Sequence, residues 1–314
     1  MVRRILNQPC DWCHVNQAIL TCLVFEMGDQ FYLDKCLPMG CAGSCQIFET
    51  FSKFLHWLVS QDQDSNNLDY YLDDFFFVGR PHTNECADLM VSICNSLSVP
   101  IADEKTEGPT TSMEYLGLLI DTEKMMVKIP ADELNKLLDE IKKDAVAKKV
   151  TLKQLQSLCG LLSFCTRALP SGRAFSRRLF MAMSKAHRPF HFIRVNKGMF
   201  EDLLVWKYLL EHLNGHSYFM DEVWISNDEF ELFTDSAGGK SKGCGIYWQG
   251  KWCVLNWPEQ WESSEILKDI TCLKIIPIAL AVMLWGNLFH KKKINFHVDN
   301  MAVVCILNSR TSKS

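Results

Sequence analysis

Four aspartates stand where their chemistry would count. Asp73 and Asp74 are adjacent in Tyr70-Tyr-Leu-Asp-Asp-Phe75, between two aromatic runs. Adjacent carboxylates repel, so a site that holds them together neutralises them with a cation, and hard Mg²⁺ (or Mn²⁺), which takes oxygen ligands, fits that role. A solvated hairpin turn is the plainer reading, because Asp is common in turns. Asp235 in Leu232-Phe-Thr-Asp-Ser-Ala-Gly238 and Asp299 in Phe296-His-Val-Asp-Asn-Met-Ala-Val-Val304 each follow an apolar, strand-like run. The same positions suit a turn residue or a helix cap.

The elements that would position these residues follow from hydrophobic periodicity. Leu68 to Leu72 and Phe75 to Val78 predict a hairpin with Asp73 and Asp74 at its tip, closed by Gly79-Arg-Pro81. Phe31 to Leu33 reads as a strand and Ile47 to Val59 as a helix. Tyr115 to Ile120 and Met125 to Ile129 predict two strands around the turn Asp121 to Lys124. After Pro130 the texture becomes helical: Leu134, Leu137, Leu138 and Ile141 share one face, and Thr151 caps a helix carrying Leu152, Leu155, Leu158 and Leu162. Helices over 173–185 and 199–213 follow. From Glu229 three strands are predicted at 230–235, 243–248 and 251–257, then a buried helix over 270–288. A strand at 293–298 delivers Asp299, and a helix starts at Met301. The class is α+β, in three stretches: 1–130, 131–225 and 226–314.

Composition narrows the function classes. With 48% hydrophobic and 22% charged residues over 314 positions the chain matches ordinary globular composition, which argues against disorder, and its length suits two domains. No uninterrupted apolar run reaches bilayer length, and Asn7, Gln8, Asp11 and Asn16 interrupt any signal-peptide core. The fourteen cysteines, irregularly spaced, predict buried thiols in a reducing compartment and an intracellular chain, cytoplasmic or nuclear. The net charge of −4 hides an uneven distribution: residues 145–200 hold eleven Lys and Arg and no Asp or Glu. Such a stretch can hold a phosphate backbone, or it can be a solvated helical face. Both ends read as cut, with no cap or linker signal at the start and an apolar stretch just before Arg310-Thr-Ser-Lys-Ser314.

Tyr71-Leu-Asp-Asp74 on a hairpin resembles the Tyr-x-Asp-Asp metal-binding turn of reverse transcriptases. Neighbouring strings agree. Leu37-Pro-Met-Gly40 ahead of Cys41 to Phe48 resembles the motif that approaches template and nucleotide, and Glu114-Tyr-Leu-Gly-Leu-Leu-Ile120 resembles the primer-grip hairpin. Asp34-Lys-Cys-Leu-Pro-Met-Gly40 and Tyr71 to Phe75 are most similar to DIRS-like retrotransposon polymerases, and the strings around Asp235 and Asp299 resemble the ribonuclease H-like domain that follows them. The resemblance implies a partial palm, a basic helical thumb or connection, and a truncated ribonuclease H-like α/β domain. It also implies RNA-directed DNA synthesis and hybrid RNA cleavage, with Mg²⁺ or Mn²⁺ at Asp73, Asp74, Asp235 and Asp299. The partners implied are an RNA template, a DNA primer and an RNA–DNA hybrid. Nucleotide or strand contacts would fall to Pro38, Met39, Gly40, Lys105, Leu116 and Gly117, and to the cations Lys148, Lys149, Lys153, Arg173, Arg177 and Arg178.

Three departures lead to the expectation that this chain catalyses poorly, leaving a non-catalytic nucleic-acid-binding remnant as the alternative. Aligning Asn7 to Trp12 with the family pattern places the palm's other Asp just before Met1. Lys274, in Leu273-Lys-Ile-Ile-Pro-Ile278, stands where the ribonuclease H helix carries Glu, and could pair with Asp235 or Asp299; Glu265 and Asp269 are the nearby substitutes. The last strand and helix would lie beyond Ser314. Two weaker signals compete: Cys10-Asp-Trp-Cys-His14 as haem attachment or, with Cys41 and Cys45, zinc; and Trp248, Trp252, Trp257 and Trp261 as stacking surfaces or packing.

Overall fold

A run of three phenylalanines, Phe75 to Phe77, can only be satisfied by a strand covered on both faces. The computed structural model describes residues 1–6, 24–33, 36–37, 40–41, 43–61, 68–79, 83–213, 215–219, 223–289 and 292–310. It divides into two units, residues 1–116 with 120–123, and residues 117–119 with 124–314. In the first unit, β5 (Asp74–Phe77) is buried along its whole length between β1 (Val2–Ile5) and β4 (Leu68–Tyr71), both antiparallel to it. Two helices bury Phe75 and Phe77: α1 (Ser44–Ser60) through Phe48, Leu55 and Val59, and α2 (Thr83–Ser96) through Ala87, Met90 and Cys94. β2 (Val24–Met27) and β3 (Gln30–Leu33) form a separate hairpin.

The β4–β5 turn differs from the expected acidic tip. Tyr71 pairs with Asp74, so the turn is Leu72-Asp73, with Leu72 at φ +53°, and Asp74 is the first residue of a buried strand. The expected strand 115–120 is likewise broken. β6 (Ser112–Tyr115) and β7 (Leu118–Asp121) are separated by Leu116 and Gly117 at φ +49° and +75°, the two left-handed residues of a tight hairpin turn.

In the second unit, β8 (Met126–Lys128) pairs with β11 (His216–Tyr218). Four helices, α3 (Ala131–Val146), α4 (Leu152–Cys165), α5 (Arg177–Met183) and α6 (Lys197–His212), enclose a core around Leu137, Ile141, Leu155, Leu158, Leu162, Leu203 and Trp206. The expected helix 173–185 is in fact a 3₁₀ segment, Pro170–Ser176, followed by α5. Thr151 and Gln154 form a reciprocal capping box at the start of α4. β9 (Lys149–Thr151) pairs with β10 (Phe192–Arg194). A Cβ on Gly172 would lie 2.3 Å from the fully buried Trp206 indole, which has no room to turn away. Gly172→Ala is therefore expected to cost about 1–3 kcal/mol, seen as a lower urea midpoint at unchanged slope; an unshifted midpoint would show that the core yields there.

The same unit contains β12 (Trp224–Ile225), α7 (Asn227–Phe230) and an antiparallel sheet of β13 (Leu232–Ser236), β14 (Gly243–Trp248) and β15 (Lys251–Asn256). α8 (Ile270–Trp285) packs on β13 and β14. The segment Ile270–Phe289 is long and apolar enough to cross a membrane by length and composition. Here Leu273, Pro277, Ile278 and Ala281 are buried while Val282, Met283 and Leu284 are exposed, so the helix expected to be buried is buried on one face only. The strand expected at 293–298 shrinks to β16 (Lys293–Ile294), because its parallel partner β12 offers only two residues; α9 (Met301–Ser309) follows.

Candidate functional site

Asp74 enters the first unit's core with a partner already attached. Antiparallel register sets Ile5 opposite Asp74, so Arg3 is a diagonal neighbour on the same face. Its Nε and Nη2 donate to the two carboxylate oxygens of Asp74 at 2.8 and 2.7 Å, a bidentate fork with Asp74 only 8% exposed. That hydrogen bond, ahead of the charges of Asp74, Glu107 and Glu114, holds the Arg3 guanidinium protonated even more firmly than usual. Asp73 is half-buried on the turn, and desolvation pushes its carboxyl above the ordinary value, against the opposing charges of Lys105 and Arg3. β1, which lies beside β5, bears Arg3 and Arg4 and no carboxylate. The strand alongside the Asp-Asp turn is thus cationic.

The second pair is bridged in the same way. Lys274, on the first turns of α8, donates from Nζ to Asp235 Oδ1 at 2.7 Å and to Asp299 Oδ2 at 2.6 Å. The lysine side chain is 12% exposed while both carboxylates face solvent. Asp269 uses its carboxylate to cap α8 through the Thr271 and Cys272 N–H groups, and Glu265 pairs with Lys268 at 2.7 Å, so neither substitutes at the bridge.

These residues do not fit divalent metal. Asp74 and the Asp235–Asp299 pair each already hold a protein cation, which repels Mg²⁺ at the same oxygens. Among the described residues no group of three His, Cys, Asp or Glu side chains could hold a metal ion. The Lys274 bridge has a titration signature. Its hydrogen bond, helped by the Ser236 N–H, draws the Asp235 carboxyl below the ordinary value, while Asp235 and Asp299 raise the Lys274 ammonium. A depressed acid contributes stability above its unfolded pKa that is lost as pH falls through the folded one. A raised lysine contributes stability that is lost only as pH rises through its folded value. The bridge therefore persists across the whole neutral range. NMR titration is expected to show Asp235 titrating low, and returning upward in Lys274→Met; an ordinary Asp235 pKa in the parent chain would refute the bridge.

The remaining predicted site residues are dispersed. Gly40 is exposed at φ +83°, and Pro38 and Met39 lie outside the described residues, as does Cys10 to His14. Lys105 ends a short 3₁₀ turn, Asp103–Lys105, with its charge felt at Asp73. Leu116 and Gly117 serve the β6–β7 turn, where a Cβ on Gly117 would meet the Phe164 ring at 3.1 Å. Lys148, Lys149, Lys153, Arg173 and Arg178 are exposed and Arg177 is half-buried. Across 145–200 only Arg178, to Asp202 at 3.0 Å, and Lys197, to Glu201 at 3.8 Å, reach a carboxylate among the described residues. Cys41 and Cys45 are exposed free thiols, whereas burial pushes Cys94 and Cys165 to about 11 and Cys159 to about 12. Of the four tryptophans, Trp248 and Trp257 are core, Trp261 stacks on Trp257, and Trp252 is exposed. Sequence reasoning missed Arg3. The available signal was the carboxylate itself: an Asp heading a fully apolar strand needs a buried cation.

No protein-family model and no curated protein matches the chain. Solved structures do. A foamy viral protease-reverse transcriptase in complex with dsDNA superposes at a TM-score of 0.56 and 15% identity, covering 97% of this chain and 60% of that one. Its dRH form with dsDNA gives 0.56 and 15%, covering 93% and 48%, and the structure with an RNA/DNA hybrid gives 0.53 and 14%, covering 99% and 43%. The chain thus spans about half the length of these proteins. At that identity the likeness shows the fold: an α+β, reverse-transcriptase-like fold.

Proposed function

We propose that the chain is a nucleic-acid-binding member of the reverse-transcriptase-like fold, of DIRS-like retrotransposon origin, that binds template–primer or hybrid without catalysing polymerisation or cleavage. On this reading residues 1–130 form a partial palm, 131–225 a basic thumb or connection, and 226–314 a ribonuclease H-like domain. The observation that carries it is that Arg3 and Lys274 occupy the carboxylates that Mg²⁺ would need. An internal cation offsets part of the carboxylates' charge but has neither the Lewis acidity of a metal ion nor its capacity to activate water.

Binding then falls to the basic stretch. Nine of its eleven cations lack a carboxylate partner among the described residues, so they are available to phosphates at little cost in broken ion pairs. The expected result is hybrid binding in fluorescence anisotropy that weakens steeply with salt. If the five of the named cations without such a partner, Lys148, Lys149, Lys153, Arg173 and Arg177, each neutralise a phosphate, the slope of log K on log salt is about −4.5. Mg²⁺, Mn²⁺ and EDTA should act only through ionic strength. Metal-dependent primer extension abolished by Asp73→Asn, or hybrid cleavage abolished by Asp235→Asn, would overturn the reading in favour of an active polymerase or nuclease.

A further inference from the structure

One cavity is built from the basic stretch and has no part in either carboxylate site. It is a recess of about 780 Å³ between α5 and β10, whose lining includes Arg178, Met181, Lys185, Phe190, Phe192 and Arg194. Among the described residues no carboxylate lines it. Phe190 is 65% and Phe192 63% exposed, which places two phenyl rings in water beside cations. Lys185 and Arg194 have no ion-pair partner among the described residues. Arg178 is tied to Asp202 and to the Gly198 carbonyl at 3.2 Å, and serves as wall.

The loop that carries the rings is held by backbone bonds. The first N–H groups of α4, which a helix cannot satisfy internally, donate to the loop that carries Phe190: Leu152 to the His191 carbonyl at 2.8 Å and Lys153 to the Pro189 carbonyl at 3.0 Å. His191 N–H in turn donates to Arg188 O at 2.9 Å. Phe192 lies on β10, opposite Thr151 in the β9 ladder, and Lys149 Nζ sits 4.5 Å from its ring centroid. The outcome is a preorganised recess of nucleotide size with aromatic faces and free cations.

We propose that this recess is a single-strand binding site, in which an unpaired base stacks on Phe190 or Phe192 while Lys185 and Arg194 hold its flanking phosphates. Aromatic side chains stack on bases whose own neighbours have been removed; in a duplex those faces are covered, so the recess selects unpaired nucleotides over paired ones. The inference rests on the nucleic-acid-binding reading above, and names the segment of strand that this cavity takes.

The test is anisotropy of the full chain with a labelled single-stranded oligo-dT or oligo-U and, in parallel, with a fully paired hybrid. Phe190→Ala/Phe192→Ala is expected to weaken single-strand binding about five- to a hundredfold, the range for one stacked base, and to leave hybrid binding unchanged. Phe190→Trp/Phe192→Trp should restore it. Lys185→Gln/Arg194→Gln should lower the salt slope for the single strand by about 1.4, at 0.7 for each phosphate no longer neutralised. Wild-type single-strand affinity in the double Ala variant, or equal binding of an abasic oligonucleotide, overturns the site while leaving the hybrid reading standing. Absence of hybrid binding by the parent chain overturns that reading instead. Both rings are exposed, so their removal spares the core.

Discussion

Arg3→Met is expected to destabilise the first unit by about 3–5 kcal/mol, a large share of the roughly 5–15 kcal/mol that holds a domain folded. The substitution leaves Asp74 at 8% exposure, heading a strand whose other residues are phenylalanines, with neither oxygen of its fork satisfied. The nearest remaining basic side chain on β1, Arg4, points to Asp88 at 3.5 Å. The loss belongs to the orphaned carboxylate and not to the arginine, so replacing both partners with apolar groups should recover most of it. Arg3→Met/Asp74→Leu is accordingly expected to unfold within about 1 kcal/mol of the parent chain in urea, giving a coupling of several kcal/mol in a double-mutant cycle. If Arg3→Met alone is neutral, Asp74 has access to water or to another cation, and the case against metal at Asp73 and Asp74 falls with it.

Lys274→Glu is expected to create a metal response where the parent chain has none. The ammonium lies within 2.7 Å of both Asp235 and Asp299, so a carboxylate introduced there completes a set of three oxygen donors at the ends of β13 and α8 and beside α9. Without metal the three charges repel, and the variant should melt below the parent. With Mn²⁺ or Mg²⁺ at a hundredfold excess over its dissociation constant, about 2.7 kcal/mol should return. Calorimetric titration and melting curves with and without EDTA read this directly. A parent chain whose melting shifts with metal through Asp235, or a variant that ignores metal, would contradict the view that Lys274 takes the place of a metal ion. By contrast Lys274→Met should cost at most about 1 kcal/mol, because the carboxylates it leaves face solvent and are readily hydrated.

Much of the architecture could be read locally. The spacing of Phe48, Leu55 and Val59 marks α1, Thr151 marks the start of α4, and the aromatic runs on either side of Asp73 mark the β4–β5 hairpin. These signals work because a helix face or a capping box is completed within a few residues. α2 gives no comparably clear signal, its polar face mixing with Cys86, Met90 and Cys94. Leu116-Gly117 reads as the middle of one apolar strand until the positive φ of both residues divides it. Lys274 is the exception among long-range features: its misfit with the surrounding Leu-x-x-x-Pro-Ile string is visible in one dimension, although its 2.6 Å contact with Asp299 is not.

Residue order shows most of the elements, the run of unopposed positive charge from 145 to 200, and a lysine inside the apolar string Leu273 to Ile278, but not α2 or the break at Leu116-Gly117. Tertiary structure alone decided what the aspartates do. Arg3 and Asp74 are 71 residues apart and meet only because β1 takes a register opposite β5 that sets Ile5 against Asp74; a slip of one residue would turn Arg3 to the other face. The recess at Phe190 and Phe192 likewise depends on loop carbonyls meeting the free N–H groups at the start of α4. Periodicity reports which way a side chain faces. Pairing register, which is fixed by the burial of distant strands, decides whose charge it meets.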